Sequence, residues 1–251
     1  KKNPHAVTVV APSDHLITKE DVFLKAVKSC YSKAKAEDCL LTIGIKPTRP
    51  DTGYGYIQFV ESEKEEKDNR IKKVKTFTEK PDAEMAKFFM KSGDFLWNAG
   101  IFIWSTKSII NAIEQHEPEL ANLFRDDNNV YGTNKEIDFI KTAYVSCKNI
   151  SIDYAVMERA KNVYVRASII GWSDLGTWGS LYEHIKHDKN HNAVVGKNTM
   201  LYDTKNCIIN VPKDKLVLIQ GLEDYIVVES DGLLLICKKQ DEQQIRNFVN
   251  D

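Results

Sequence analysis

The feature that most restricts the fold is a change of texture, twice, within the first 45 residues. Residues 6 to 11 form an apolar run that alternates too little for a one-sided strand, which suits a strand buried on both faces. Thr18 and Asp21 then resemble a helix-capping signal, and Phe23, Val27, Cys30, Tyr31 and Ala34 recur at helical spacing. Cys39 to Ile45 returns to strand. Strand, helix, strand in that order predicts a parallel α/β layer. In open sheets of this class ligands gather outside the carboxyl ends of the strands. The residues just beyond each apolar run are therefore the first place to seek chemistry.

Farther along, Gly53-Tyr54-Gly55-Tyr56 leads into another strand, Glu61 to Asn69 is a charged turn, and Arg70 to Thr78 reads as its returning partner. Helical spacing recurs near 82–92, 106–126, 134–145 and 152–160, with a strand at Gly100 to Trp104. Near Lys189 the pattern changes. Short apolar runs follow at Val194-Val195, Met200 to Tyr202, Cys207 to Val211, Leu216 to Ile219, Tyr225 to Val228 and Leu233 to Cys237, and a last helix is expected from about Gln240 to Val249. Short strands without intervening helices predict a stacked, solenoid-like module with a structural or oligomerisation role. The expected division is an α/β part over residues 1–190 and a β-rich part over 191–251.

Composition narrows the function classes. The 35 Lys and Arg nearly cancel the 36 Asp and Glu, so no global field favours nucleic acid or an anionic membrane. The five cysteines (Cys30, Cys39, Cys147, Cys207, Cys237) are odd in number, scattered and without a CxxC pair, which argues against a disulfide framework or structural zinc and fits a cytoplasmic setting. No apolar run approaches the roughly 20 residues that span a bilayer. Lys1-Lys2-Asn3-Pro4 runs directly into a strand and resembles no secretory signal. Neither a Gly-x-Ser-x-Gly elbow nor a P-loop is present.

Two distant aspartates stand in the expected places. Asp14 lies in Pro12-Ser13-Asp14-His15, directly after the first apolar run, and Asp174 lies in Gly171-Trp172-Ser173-Asp174-Leu175-Gly176, after the strand-like Val163 to Ala167. Carboxylates beyond strand ends suit a hard divalent cation, and Mg²⁺ takes only one or two of them, completing its shell with water and phosphate. The pair suggests phosphate chemistry.

Other segments admit two readings each. Glu79-Lys80-Pro81 is either a site for a polar anion, with Glu79 accepting from hydroxyls and Lys80 facing phosphate, or a surface ion pair before a helix. Trp97-Asn98-Ala99-Gly100 is either a hydroxyl-binding segment or a turn beside a core tryptophan. Gly53-Tyr54-Gly55-Tyr56 either hugs a ligand with its backbone or makes a turn with two packed tyrosines. Asp153 either serves the site or favours a helix start capped by Ser151. His184, His187 and His191 could share a metal, with the first two on one helical face, but a solvated helix end explains them. His15 could simply orient its loop.

Taken in order, PSDHLI at 12–17, TGYGYI at 52–57, FTEKPD at 77–82, LWNAGIF at 96–102, SIDYAVME at 151–158 and GWSDLGTW at 171–178 resemble one family, the mannose-1-phosphate guanylyltransferases among the sugar nucleotidyltransferases. Residues 193–251 resemble that family's β-rich C-terminal part. The resemblance implies an enzyme joining mannose 1-phosphate to GTP, with Mg²⁺, to give GDP-mannose and pyrophosphate, and a homodimer. It implies Asp14 and Asp174 as metal ligands with catalytic weight, Glu79 and Asn98 on sugar hydroxyls, Lys80 on the sugar phosphate with a catalytic role, Gly55 as a backbone contact to the sugar, and Asp153 beside the mannose. The implied fold is an incomplete Rossmann-like nucleotidyltransferase domain, with a mixed and mostly parallel sheet, followed by a left-handed β-helix-like module. The family's glycine-rich GxGxRLxP nucleotide loop does not occur in this sequence. The expectation is therefore a fragment, inactive by itself, with sheet edge and apolar surface uncovered. Other expectations are a transferase for a different hexose 1-phosphate or nucleotide, or a non-catalytic sugar-phosphate-binding or assembly subunit.

Overall fold

The structure is a computed structural model that describes residue 3, residues 5–61, 70–125 and 129–245, and residue 248. In chain order the elements are β1 (Val7–Val10), β2 (Leu16–Ile17), α1 (Glu20–Ala36), β3 (Leu40–Ile45), β4 (Tyr56–Phe59), β5 (Ile71–Thr78), α2 (Ala83–Ser92), β6 (Phe95–Ser105), α3 (Thr106–His116), α4 (Pro118–Leu123), α5 (Glu136–Ser146), a π-helical turn (Asp153–Met157), β7 (Val163–Ala167), β8 (Trp172–Ser173) and α6 (Trp178–His184). The remainder holds β9 (Ala193–Val195), β10 (Asn198–Tyr202), β11 (Ile208–Asn210), β12 (Leu216–Gln220), β13 (Tyr225–Ser230), β14 (Leu233–Lys238) and a 3₁₀ turn (Lys239–Gln244). The chain divides into two compact units, residues 1–13 with 17–172, and 14–16 with 173–251. The boundary expected at residue 190 follows the change in sequence texture instead.

The first unit is built on a six-stranded sheet of order β1-β6-β3-β7-β5-β4, with β4 also pairing with β6. β3 and β6 are buried almost throughout. Leu40 with Phe102 and Trp104 faces the core under α3 and the π turn, whereas Leu41 and Ile43 with Ile101 and Ile103 face the core under α1. Residues of opposite parity serve opposite faces, so strands covered on both sides need apolar residues at every position. On its inner face α1 buries only Ala26, Cys30 and Ala34, small side chains one turn apart that let the helix settle close to the sheet.

Several expectations change here. The sheet is mixed, but only β3 and β7 pair in parallel; the other pairings are antiparallel. β1, β3, β4 and β7 still run the same way. β6 and β5, pointing back, are inserted among them, so most strands are parallel in direction without being parallel neighbours. β1 is an edge strand with Val9 43% and Val10 49% exposed, not a strand buried on both faces. Thr18 does not cap α1: the N-cap is Lys19 without a side-chain bond, and the Thr18 hydroxyl donates instead to Gly171 O at 3.4 Å. The helix expected over 106–126 is broken at Glu117, where Pro118 opens α4, since proline suits a first helical turn and not an interior. Asn98-Ala99-Gly100 lies inside β6, not at a turn. A register shift between Thr42 and Gly44 opposite it, with Gly100 at φ 66°, absorbs the irregularity. Most of the charged turn expected over 61–69 lies outside the described residues.

The second unit is a small solenoid. β9, β11 and β13 stack in parallel, with Val194 against Ile209 and Ile209 against Val227, and β10 pairs in parallel with β12. Ile209, Val211, Ile219, Val227 and Cys207 fill its core. β14 closes the stack antiparallel to β13. Asn192, fully buried, donates to Asp188 Oδ2 at 3.0 Å and Thr204 O at 2.9 Å and accepts from Cys207 N at 3.0 Å, so it satisfies backbone groups that the coil leaves unpaired. The last helix is 3₁₀ over its described turn, Lys239–Gln244; most of the rest of the expected span, to 249, lies outside the described residues. α6 ends at His184, so His187 shares no helical face with it; the His187 ring stacks on Tyr182 with centroids 4.2 Å apart.

Candidate functional site

In the first unit, β4, β6, the segment after β5 and the π turn bring four of the predicted residues together. Asn98 is the centre. Its backbone N–H donates to Gly55 O at 2.8 Å. Its Oδ1 accepts from the Thr42 hydroxyl at 2.9 Å and from Gly100 N at 3.2 Å. Its Nδ2 donates to Asp153 Oδ1 at 3.0 Å. The Gly100 donor is a backbone amide and cannot be reversed, so it identifies which end of the Asn98 amide is oxygen.

Gly55 is required by packing. A Cβ there would strike the Glu79 carboxylate, with Asn98 Cβ and Phe77 Cε1 at 3.5 Å. The loop that delivers Gly55 is held by the buried Asp51: its Oδ1 accepts from Gly53 N at 2.8 Å, its Oδ2 pairs with Arg49 at 2.8 Å, and its carbonyl accepts from the Tyr56 hydroxyl at 2.9 Å. Tyr54 then packs edge-on against Trp97 and Trp172, with ring centroids at 5.0 and 5.2 Å. The packed-tyrosine reading of the Gly-Tyr-Gly-Tyr segment holds, and that packing brings Gly55 beside Asn98 and Glu79.

Glu79 and Lys80 follow β5. The pair is an ion pair at 3.3 Å, but its members differ: the Lys80 side chain is 58% exposed and that of Glu79 only 12%. Lys80 sits at φ 45°, a left-handed conformation that a lysine adopts at some cost. Burial pushes the Glu79 carboxyl above its usual range, and the charge of Asp153 adds to this against the opposing effect of Lys80. Asp153 is itself raised by burial, partly offset by backbone bonding and the Asn98 amide. Asp153 opens a π turn, where Glu158 N donates to Asp153 O at 3.0 Å. Such turns are rare and cluster at functional sites. Ser151 Oγ accepts only a long 3.5 Å bond from Tyr154 N, so the capping role covers part of this segment.

The aspartates are positioned by a separate device. β2 and β8 form a two-stranded sheet. Beyond one end, Thr18 N meets Gly171 O at 3.1 Å and Lys19 N meets Ile170 O at 3.0 Å. Asp14, exposed, stands two residues before β2, and Asp174, partly buried, directly follows β8. Gly171, at φ 64°, passes so close to Thr18 that no Cβ fits there. After Asp174, Leu175 turns at φ 52° and Gly176 leaves room for the carboxylate, whose Oδ2 would lie 3.2 Å from any Cβ. Among the described residues no group of three or more His, Cys, Asp or Glu is arranged to hold a metal. What these loops offer is hard oxygen donors in small number, the donor set that suits Mg²⁺.

A sequence model described as "Nucleotidyl transferase" matches residues 1–191, and one described as "MannoseP isomerase/GMP-like beta-helix domain" matches residues 197–251. The chain belongs to the nucleotidyl transferase family. Among its curated relatives, the mannose-1-phosphate guanylyltransferase of Escherichia coli is 31% identical over 98% of the chain and 53% of its own length. That of Sinorhizobium fredii is 34% identical over 97% of the chain and 46% of its own length. A crystal structure from Thermus thermophilus, described as mannose-1-phosphate geranyltransferase, superposes with a TM-score of 0.76 at 26% identity, over 97% of this chain and 69% of that one. The chain spans about half the length of the curated relatives it matches. Among the described residues no helix is long and apolar enough to cross a membrane.

Thr42 and Asp51, which hold Asn98 and the Gly55 loop, are residues of this cluster that sequence reasoning missed. Thr42 is a lone polar residue in the apolar run Leu40–Ile45, and that was its only signal. Asp51 sits between Pro50 and Gly53 in a segment that reads as an ordinary polar turn.

Proposed function

We propose that this protein, or the longer protein it represents, transfers a guanylyl group from GTP to mannose 1-phosphate, giving GDP-mannose and pyrophosphate. The observation that carries the reading is the cluster of Asn98, Asp153, Glu79 and Gly55, a partly buried set of hydrogen-bonding groups suited to sugar hydroxyls, within a unit of the nucleotidyl transferase family. The names borne by its relatives supply the choice of mannose and guanine.

In this reaction a phosphate oxygen of the sugar phosphate attacks the α-phosphorus of GTP. The bond to the oxygen bridging α- and β-phosphorus breaks, and pyrophosphate leaves with that electron pair. No protein nucleophile is consumed, so catalysis is positioning and charge neutralisation. Asn98 Nδ2, Asp153 and Glu79 orient the sugar through its hydroxyls, and Gly55, whose missing side chain makes room for the Glu79 carboxylate, offers a backbone contact. The exposed Lys80 ammonium offsets the repulsion of two approaching polyanions. Asp14 and Asp174 are the residues that would hold Mg²⁺, which when bound orients phosphate oxygens and offsets their charge.

The test is an assay of pyrophosphate release by the full natural protein against a panel of nucleoside triphosphates and hexose 1-phosphates. GTP with mannose 1-phosphate should give the highest kcat/KM. Preference for glucose 1-phosphate with UTP would replace this assignment.

A further inference from the structure

We propose that Thr42, which lies beneath the site, is the positioning residue that commits Asn98 to act toward the ligand as a hydrogen-bond donor; the inference rests on the reading of Asn98 as a sugar contact. Thr42 is fully buried in β3 and has no surface of its own to offer a substrate. Its hydroxyl lies 2.9 Å from Asn98 Oδ1 and 3.2 Å from Ile101 O. A hydroxyl has one proton. Were that proton given to Ile101 alone, the Thr42 and Asn98 oxygens would face each other as two acceptors at 2.9 Å, so the proton goes to Asn98.

An asparagine amide has two acceptor lone pairs and two donor hydrogens. Here Thr42 and the Gly100 amide take both lone pairs of Oδ1, and Asp153 takes one hydrogen of Nδ2. Among the described residues the remaining capacity of the group is one N–H. Asn98 therefore recognises an acceptor, and Asp153 and Glu79, as carboxylates, recognise donors. A sugar hydroxyl is both, so one hydroxyl can accept from Asn98 while donating to a neighbouring carboxylate. Without the Thr42 hydroxyl the amide loses the shorter of its two acceptor-side bonds, leaving Gly100 at 3.2 Å and Asp153 at 3.0 Å to oppose its rotation, and the donor is less firmly fixed toward the ligand.

The test uses Thr42→Val, Thr42→Ser, Asn98→Ala and the Thr42→Val, Asn98→Ala double variant in the full natural protein, with KM measured separately for mannose 1-phosphate and GTP and with thermal unfolding followed in parallel. Thr42→Val removes one buried neutral hydrogen bond, so KM for the sugar phosphate should rise about five- to tenfold, with KM for GTP within about twofold. Thr42→Ser should recover most of the loss. In the double variant the Thr42→Val change should add almost nothing to Asn98→Ala, because it acts only through that side chain. An unchanged sugar-phosphate KM in Thr42→Val, an equal rise for both substrates, or full additivity would each overturn the inference. If Asn98→Ala itself leaves the sugar-phosphate KM unchanged, the reading of the site fails instead. Should Thr42→Val not fold, Thr42→Ser against Thr42→Ala supplies the same comparison.

Discussion

Asn98 and Asn192 are two partly or wholly buried asparagines whose hydrogen bonds are spent differently. In the solenoid, Asn192 spends both donor hydrogens on Asp188 and Thr204, and its oxygen accepts from Cys207. All its partners come from neighbouring turns of one small unit. Asn98 draws its partners from β3, the bulge of β6 and the π turn, and among the described residues keeps one donor in reserve. An asparagine whose donors are used up is a structural plug, and one held rigid with a donor to spare, as we propose for Asn98, can serve a ligand. Burial alone does not separate them; the count of unspent bonds does.

The comparison breaks or sharpens under substitution. The largest expected effect lies outside both asparagines: Asp174→Asn in the full natural protein should cut kcat by at least about a hundredfold, the scale of one lost electrostatic stabiliser, and near-normal turnover would dismiss Asp174 from the chemistry. Next, Asn192→Ala leaves the buried Cys207 N–H without its acceptor, costing about 2–3 kcal/mol of stability. Denaturant midpoints should fall while KM for the sugar phosphate stays within about twofold; a selective rise in that KM would erase the distinction drawn between the two residues.

Gly55→Ala is expected to displace the Glu79 carboxylate and raise the sugar-phosphate KM about tenfold, an effect of roughly 1.4 kcal/mol, with little change in melting temperature. An equal loss for GTP would place Gly55 elsewhere in the reaction. The smallest effect concerns pH. Glu79 and Asp153 titrate higher in the fold than in the unfolded chain, chiefly because both are buried. Their charged forms therefore weaken the fold at neutral pH, and protonation relieves the penalty as pH falls through the raised folded values. Asp153→Asn should gain a few degrees of melting temperature at pH 7, on the order of 1 kcal/mol, and the gain should shrink on acidification. A gain that grows toward low pH would reverse the sign argued here.

Much of the first unit's cluster was legible because its residues sit in short segments that local rules single out, Glu79 at the junction of β5 and the turn before α2 and glycines at Gly55 and Gly100, and the same rules single out Asp14 and Asp174 as candidates. α2, expected near 82–92, runs from Ala83 to Ser92, with Asp82 accepting from Met85 N at 2.8 Å and Gly93 closing it at φ 83°. Hydrophobic spacing likewise separated an α/β part from a module of short stacked strands. Each of these is a property of a dozen consecutive residues.

The pairing partner of a strand is not such a property. Nothing local in β6 says that it must run backward between β1 and β3, and nothing in Leu40–Ile45 marks Thr42 as the group beneath Asn98. The sequence by itself determined which side chains could do chemistry and which elements carry them. The tertiary structure decided which of them meet, because strand order and the direction of an amide depend on contacts 50 or more residues apart, such as Thr42 with Asn98 and Asn98 with Asp153, whose energies no local pattern records.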